Sequence, residues 1–155
     1  MWRGHTLNTL LEHLELADYN RQLVSWKLED SHFRNFVLLP QIDPAFDGSA
    51  DWRRPLWEFF YPRVRRETDP LTAADILQRN LHETVLIARD ARPASIVAAW
   101  ETQTASPQVF ESIYVAALRS VGIPARLNDN HQAEILVGAQ WETAPETSAS
   151  QQKSY

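Results

Sequence analysis

Ser106-Pro-Gln-Val-Phe-Glu-Ser-Ile-Tyr-Val-Ala-Ala-Leu-Arg-Ser-Val-Gly-Ile-Pro-Ala-Arg126 is the stretch whose reading decides the fold. Ser106 is a good helix N-cap, and Pro107 falls at the first helical position, where a missing N–H costs little. Phe110, Ile113, Tyr114, Ala117, Leu118 and Val121 then recur at helical spacing until Gly122 stops the helix. Beyond Pro124 the period changes. Residues 125–127 predict a strand, Asn128-Asp129-Asn130 a turn, and 132–137 a second strand. Its two faces carry Ala133, Ile135 and Val137 against Gln132, Glu134 and Leu136. Gly138 ends that strand, and Trp141 is placed to open a third.

Upstream the signals are mostly helical. Leu7, Leu10, Leu11 and Leu14, continued by Leu16, Tyr19, Leu23 and Trp26, predict one or two opening helices with a leucine stripe turned to the core. Residues 28–39 suggest a short helix carrying Phe33, Phe36 and Val37, followed by a loop marked by Pro40, Pro44 and Asp47-Gly48-Ser49. Asp51 is a cap for a helix holding Trp52, Leu56, Trp57, Phe60, Tyr61 and Val64, which Pro62 should end or bend. Asp69-Pro70 repeats the cap-then-proline signature. Ala74, Leu77, Leu81, Val85 and Ala88 then predict a helix over 70–88, and a shorter one is expected over 94–101.

Composition removes several functions. The chain has no cysteine, which excludes disulfides, zinc–thiolate sites and thiolate catalysis. With 155 residues it has length for one domain with its own core, assigned to residues 1–142, and the polar stretch 143–155 reads as a disordered tail. The formal net charge is −5, and the basic cluster of Arg53, Arg54, Arg63, Arg65 and Arg66 reads as a solvated helix face, so no nucleic-acid partner is expected. No segment has the length of a membrane span, and no phosphate loop exists among four glycines. His5, His13, His32, His82 and His131 stand at no metal-ligand spacing, so no metal and no cofactor are expected. Among the six tryptophans, Trp52 and Trp57 read as core, whereas Trp2, Trp100 and Trp141 are candidates for an exposed patch.

Leu118-Arg119, Gly122-Ile-Pro-Ala-Arg126 and the helix before them resemble the core motif of the bacterial transglutaminase-like superfamily. Residues 33–40, Phe-Arg-Asn-Phe-Val-Leu-Leu-Pro, resemble that group's Phe-x-Asn-Tyr-Val-Leu-Pro segment. Asp51-Trp52-Arg53-Arg54 and the aromatic helix ending Tyr61-Pro62-Arg63-Val64 are similar to its Asp-Asp-Trp-Arg segment and the helix after it. The likeness covers residues 7–146, unevenly. It implies an α+β fold, a mainly helical layer packed on a small C-terminal antiparallel sheet, as in a reduced transglutaminase-like, cysteine-protease-like core. It also implies a cysteine thiolate at the helix N-terminus, activated by a histidine from the sheet that a further strand orients.

Counting back from Arg119 by the family's offset of twelve residues lands on Pro107, and Thr104, Ala105 and Ser106 replace the glycines expected before the cysteine. Asn130-His131 resembles the family's Asn-His, with a shortened path from the Pro-Ala-Arg strand, and Glu142 or Glu146 stands near the third position. These departures lead to a noncatalytic binding or structural module, within a larger bacterial protein or as a homodimer. A protein or peptide partner is expected at a sheet edge, and export of a parent protein is compatible with the family. The alternative is a hydrolase or acyltransferase using Ser106 with His131. A helper module inside a larger enzyme is the third reading.

Overall fold

Asp69 and Ser106 both act as helix caps. Each side chain accepts a hydrogen bond from the first helical turn, with proline at the first helical position. The computed structural model describes residues 7–24, 26, 29–42, 52–93 and 95–145, with side chains from Leu10 onward. Helix α1 spans Leu7–Leu23, α2 Asp30–Phe33, α3 Arg53–Val64, α4 Pro70–Thr84, α5 Ile96–Thr102 and α6 Pro107–Ser120; a π-helical turn, Arg34–Leu38, follows α2. Strands β1 (Leu86–Ile87) and β2 (Thr104–Ala105) form a parallel pair. Strands β3 (Ala125–Leu127), β4 (Ala133–Val137) and β5 (Gln140–Thr143) form an antiparallel sheet in that order. The fold is α+β, mainly helical, with a small C-terminal sheet, as expected.

Helix α6 is the centre of this arrangement. Every residue from Ser112 to Ala125 is buried, and α1, α3, α4, α5, the π turn and the sheet all pack against the helix. The principal core runs through Leu56, Phe60, Leu77, Leu81, Ile113, Leu118, Ile123 and Ile135. Burying one such aliphatic or aromatic side chain stabilises by roughly 1.5–3 kcal/mol, so this cluster is the main favourable term in folding.

Polar contacts tie the segment at 37–41 to this core. Its five consecutive carbonyls all accept hydrogen bonds from three side chains. Arg53 donates through Nη2 to Val37 O (2.5 Å) and Leu38 O (3.1 Å); Arg119 donates through Nη1 to Leu39 O (2.8 Å) and Gln41 O (3.0 Å). Trp52 Nε1 donates to Pro40 O at 2.9 Å. Arg53 Nη1 also reaches Arg119 O, Arg119 Nε reaches Ala125 O, and Arg53 Nε donates to His13 Nδ1 at 2.7 Å. His13 therefore presents an unprotonated Nδ1. Burial, reinforced by neighbouring Arg119, lowers Arg53 to about 9, and burial lowers Arg119 to about 10. Both remain cations at neutral pH, with carbonyl dipoles as their compensation. Arg53 thus leaves the basic cluster assigned to solvent.

Other expectations change as well. The buried face of α1 is His13, Leu16, Ala17 and Asn20, while Leu11 and Leu14 are exposed, because α1 docks through polar groups. Asn20 Oδ1 accepts from Trp57 Nε1, and Asn20 Nδ2 lies against Gly122. Helix α4 ends at Thr84, not 88, because Val85 turns extended (φ −110°, ψ 124°) and the chain pairs with β2. The helix expected over 94–101 is α5, capped by Ser95. Pro62 sits in the last turn of α3. Leu136 is buried along with Ala133 and Ile135, which breaks the strict alternation expected of β4. Thr143 lies in β5, Ala144 is buried and Pro145 O accepts from Tyr114 Oη at 2.7 Å, so the fold includes these three residues. Trp2, His5, Pro44, residues 47–49, Asp51, Glu146 and the rest of the tail lie outside the described residues.

Candidate functional site

The parallel pair β1–β2 delivers two loops to the start of α6. Leu86 N donates to Gln103 O and Ala88 N to Ala105 O, both at 2.8 Å, which fixes the loop after β1 beside Ser106. Between that loop and the first turn of α6 lies an open groove of about 650 Å³, lined by Arg89, Ala91, Arg92, Pro93, Ser106, Pro107, Gln108 and Val109. Such a volume falls within the roughly 300–1,000 Å³ of small-ligand sites. The groove is therefore open where α6 begins.

Pro107 stands at the first helical position, exposed to this groove. It supplies no nucleophile and no N–H. Ser106 Oγ lines the groove but accepts from Val109 N at 3.2 Å, the capping role expected of it. His131 belongs to the turn joining β3 to β4. Asn128 Oδ1 accepts there from Asn130 N (2.8 Å) and Gln132 N (3.0 Å), and His131 takes φ 63°, a left-handed conformation open to few non-glycine residues. Ala133 N donates to Glu111 Oε1 at 2.8 Å, anchoring this hairpin one helical turn beyond Pro107. Ser106 is among the groove's lining residues, while His131 and Glu142 are not; Glu142 is exposed on β5.

The remaining candidates have structural partners. His82 lies against Phe110, with ring centroids 4.5 Å apart, and no group of three or more His, Asp or Glu suited to a metal occurs among the described residues. Trp100 packs on Phe59 and Phe60, and Trp141 stands edge-on to Phe36 with the Arg126 guanidinium 3.9 Å over its ring. Neither offers a bare stacking platform. Among the described residues no helix is long and apolar enough to cross a membrane.

Sequence reasoning passed over Arg89 and Arg92, the two cations of the groove. They fall in a stretch without hydrophobic period, and only the pairing of β1 with β2 brings them to α6. It also missed the joint role of Arg53 and Arg119. A signal was present there, since Val37, Leu38, Arg53 and Arg119, which meet at those two guanidinium groups, all fall in segments singled out above for their resemblance.

A family model for the transglutaminase-like superfamily matches residues 59–140, more than half of the chain. The chain belongs to the transglutaminase-like superfamily. The matched region runs from within α3 to the first residue of β5 and includes the groove, α6, β3 and β4. No curated protein and no solved structure gives a significant match. Within the superfamily this chain is a cysteine-free member with proline at the start of the central helix.

Proposed function

We propose that this transglutaminase-like domain is noncatalytic and acts as a binding module, with the groove at the start of α6 as its ligand site. The observation that carries the reading is the composition of the groove. Among the described residues its lining includes Pro107 and contains no histidine and no carboxylate, and the chain has no thiol. Acyl transfer by a side chain needs a nucleophile, a base within about 2.6–3.2 Å of it and donors for the developing oxyanion. Here the one hydroxyl, on Ser106, is an acceptor for its own helix. An open cavity with no such machinery is suited to holding a ligand unchanged.

The second reading, a hydrolase using Ser106 and His131, draws on the exposure of Ser106 to the groove. It requires His131 to stand within hydrogen-bond reach of Ser106 Oγ. Among the described residues His131 is outside the groove's lining, and the hairpin that carries it is attached to Glu111 through Ala133 N. A panel of amidase, peptidase and acyltransferase substrates separates the two readings. The expected outcome is no turnover above buffer; turnover abolished by Ser106→Ala or His131→Ala would overturn the binding-module reading. A place within a larger bacterial protein, or as a homodimer, is part of the same proposal.

A further inference from the structure

We propose that the groove, continued by the outer edge of β1, binds an extended peptide rich in carboxylates. This rests on the reading of the domain as a binding module and names its ligand. Of the eight lining residues, Arg89, Arg92, Ser106 and Gln108 have polar side chains, and none is acidic. Neither arginine forms an ion pair within the described residues, and Asp90 between them lies outside the lining. In a chain of formal net charge −5, both charged side chains of this described lining are thus cationic.

The donors are also prepared. Arg92 Nη1 donates to Arg89 O (3.1 Å) and Ala91 O (2.9 Å), which holds the guanidinium on its own loop. Those bonds use two of its protons and leave Nε–H and Nη2 for a planar pair of oxygens. Ser106 Oγ accepts from Val109 N, so its hydroxyl proton is free to be donated. The N–H of Gln108, in the first turn, has no acceptor within the helix. Donors outnumber acceptors here, and a carboxylate is the group that satisfies them with charge-assisted bonds.

Strand β1 argues for an extended peptide. Because the N–H groups of Leu86 and Ala88 point to β2, those of Ile87 point away from it. The sheet has two strands, and among the described residues no third strand pairs with this edge. Leu86 is 68% exposed and Ile87 39%. Only Ala88 separates Ile87 from Arg89, so the edge adjoins the groove along the chain. A peptide adding as a strand beside Ile87 carries its following residues into the groove. A small dicarboxylate leaves the edge unused, and a nucleic acid needs a wider cationic surface than two arginines.

The test is fluorescence anisotropy of the 155-residue chain with a labelled octapeptide alternating valine and glutamate. The glutamate probe is expected to bind at least about tenfold more tightly than its lysine counterpart, the equivalent of ~1.4 kcal/mol. The double variant Arg89→Glu, Arg92→Glu is expected to lose about tenfold or more; both residues are exposed, and circular dichroism verifies its fold. N-methylating the probe's valines blocks strand pairing without touching charge or protein, and is expected to weaken binding about fivefold or more. Equal affinity for both probes, full affinity in the double variant, unchanged binding of the N-methylated probe, no binding of the glutamate probe or tighter binding of a single-stranded oligonucleotide each overturns the proposal. The noncatalytic reading survives any of these, because only turnover in the substrate panel removes it.

Discussion

At its C-terminal end α6 is closed in on every side. Arg119 and Ser120 are buried, Gly122 lies against Asn20, and Trp26 Nε1 donates to Gly122 O at 3.0 Å. At its N-terminal end Pro107 and Gln108 are exposed to a groove of about 650 Å³. The closed end carries the run from Leu118 to Arg126, where Arg119 is a hydrogen-bond hub and Gly122 a point of close approach. That end therefore holds the fold together, while at the open end substitution of the exposed Pro107 or Gln108 touches little of the core.

Breaking the closed end should have the largest effect. Arg119→Met strips three carbonyls of their donor, Ala125 O in the core and the part-buried Leu39 O and Gln41 O. At about 1–3 kcal/mol for each unsatisfied buried group, and allowing for relief of one buried charge, the expected loss is about 3 kcal/mol. For a chain of this size that corresponds to a fall in Tm of about 6–12 °C. Arg119→Lys should recover little, because an ammonium cannot reproduce the fork. Thermal unfolding reads both, and a Met variant as stable as the parent would dissolve the contrast between the ends.

Gly122→Ala comes next, at about 2 kcal/mol. Gly122 takes φ 89°, and an added Cβ would stand 2.7 Å from Asn20 Nδ2, itself without a hydrogen-bond partner among the described residues. Backbone strain and steric clash are separable. A double-mutant cycle with Asn20→Ala should recover the steric part and leave the strain. No coupling between the two positions would mean that the glycine serves only its own backbone angle.

These two ends differ in how legible they were. Helix α6 was readable because cap, proline, period and stop are all local and agree. Buried Arg53 was not, since a guanidinium among other arginines reads as surface until the carbonyls of 37 and 38 are in place around it. The same holds for β1. Leu77, Leu81, Val85 and Ala88 keep a helical spacing, and Val85 is buried in either conformation; pairing with Thr104 and Ala105 decides the matter. The groove needed that pairing too, so its arginines carried no sequence signal beyond their charge. The absence of a thiol, by contrast, was visible as a count of zero cysteines.

Smaller effects belong to the open end. Ser106→Ala removes the cap bond to Val109 N and is expected to cost about 1 kcal/mol, read by urea denaturation. A loss near that value, with no change in any activity, marks Ser106 as a cap. A far larger loss would place the helix start inside the cooperative core and weaken the contrast.

Pro107→Cys is expected to change stability least, by about 0.5 kcal/mol or less, since the position is exposed. It restores a thiol at a helix N-terminus, where the helix dipole and the N–H groups of the first turn favour the thiolate. Iodoacetamide should therefore alkylate Cys at this position faster at neutral pH than it alkylates free cysteine, and Arg89 and Arg92 at the rim act in the same direction. Acyl transfer requires more than the thiolate, because the leaving group must be protonated and the acyl-enzyme hydrolysed, and among the described residues the groove's lining has no imidazole or carboxylate to move those protons. Fast alkylation without turnover is the expected pair of results. Turnover in this variant would mean that His131 reaches the helix start in solution, and that a single residue separates this domain from catalysis.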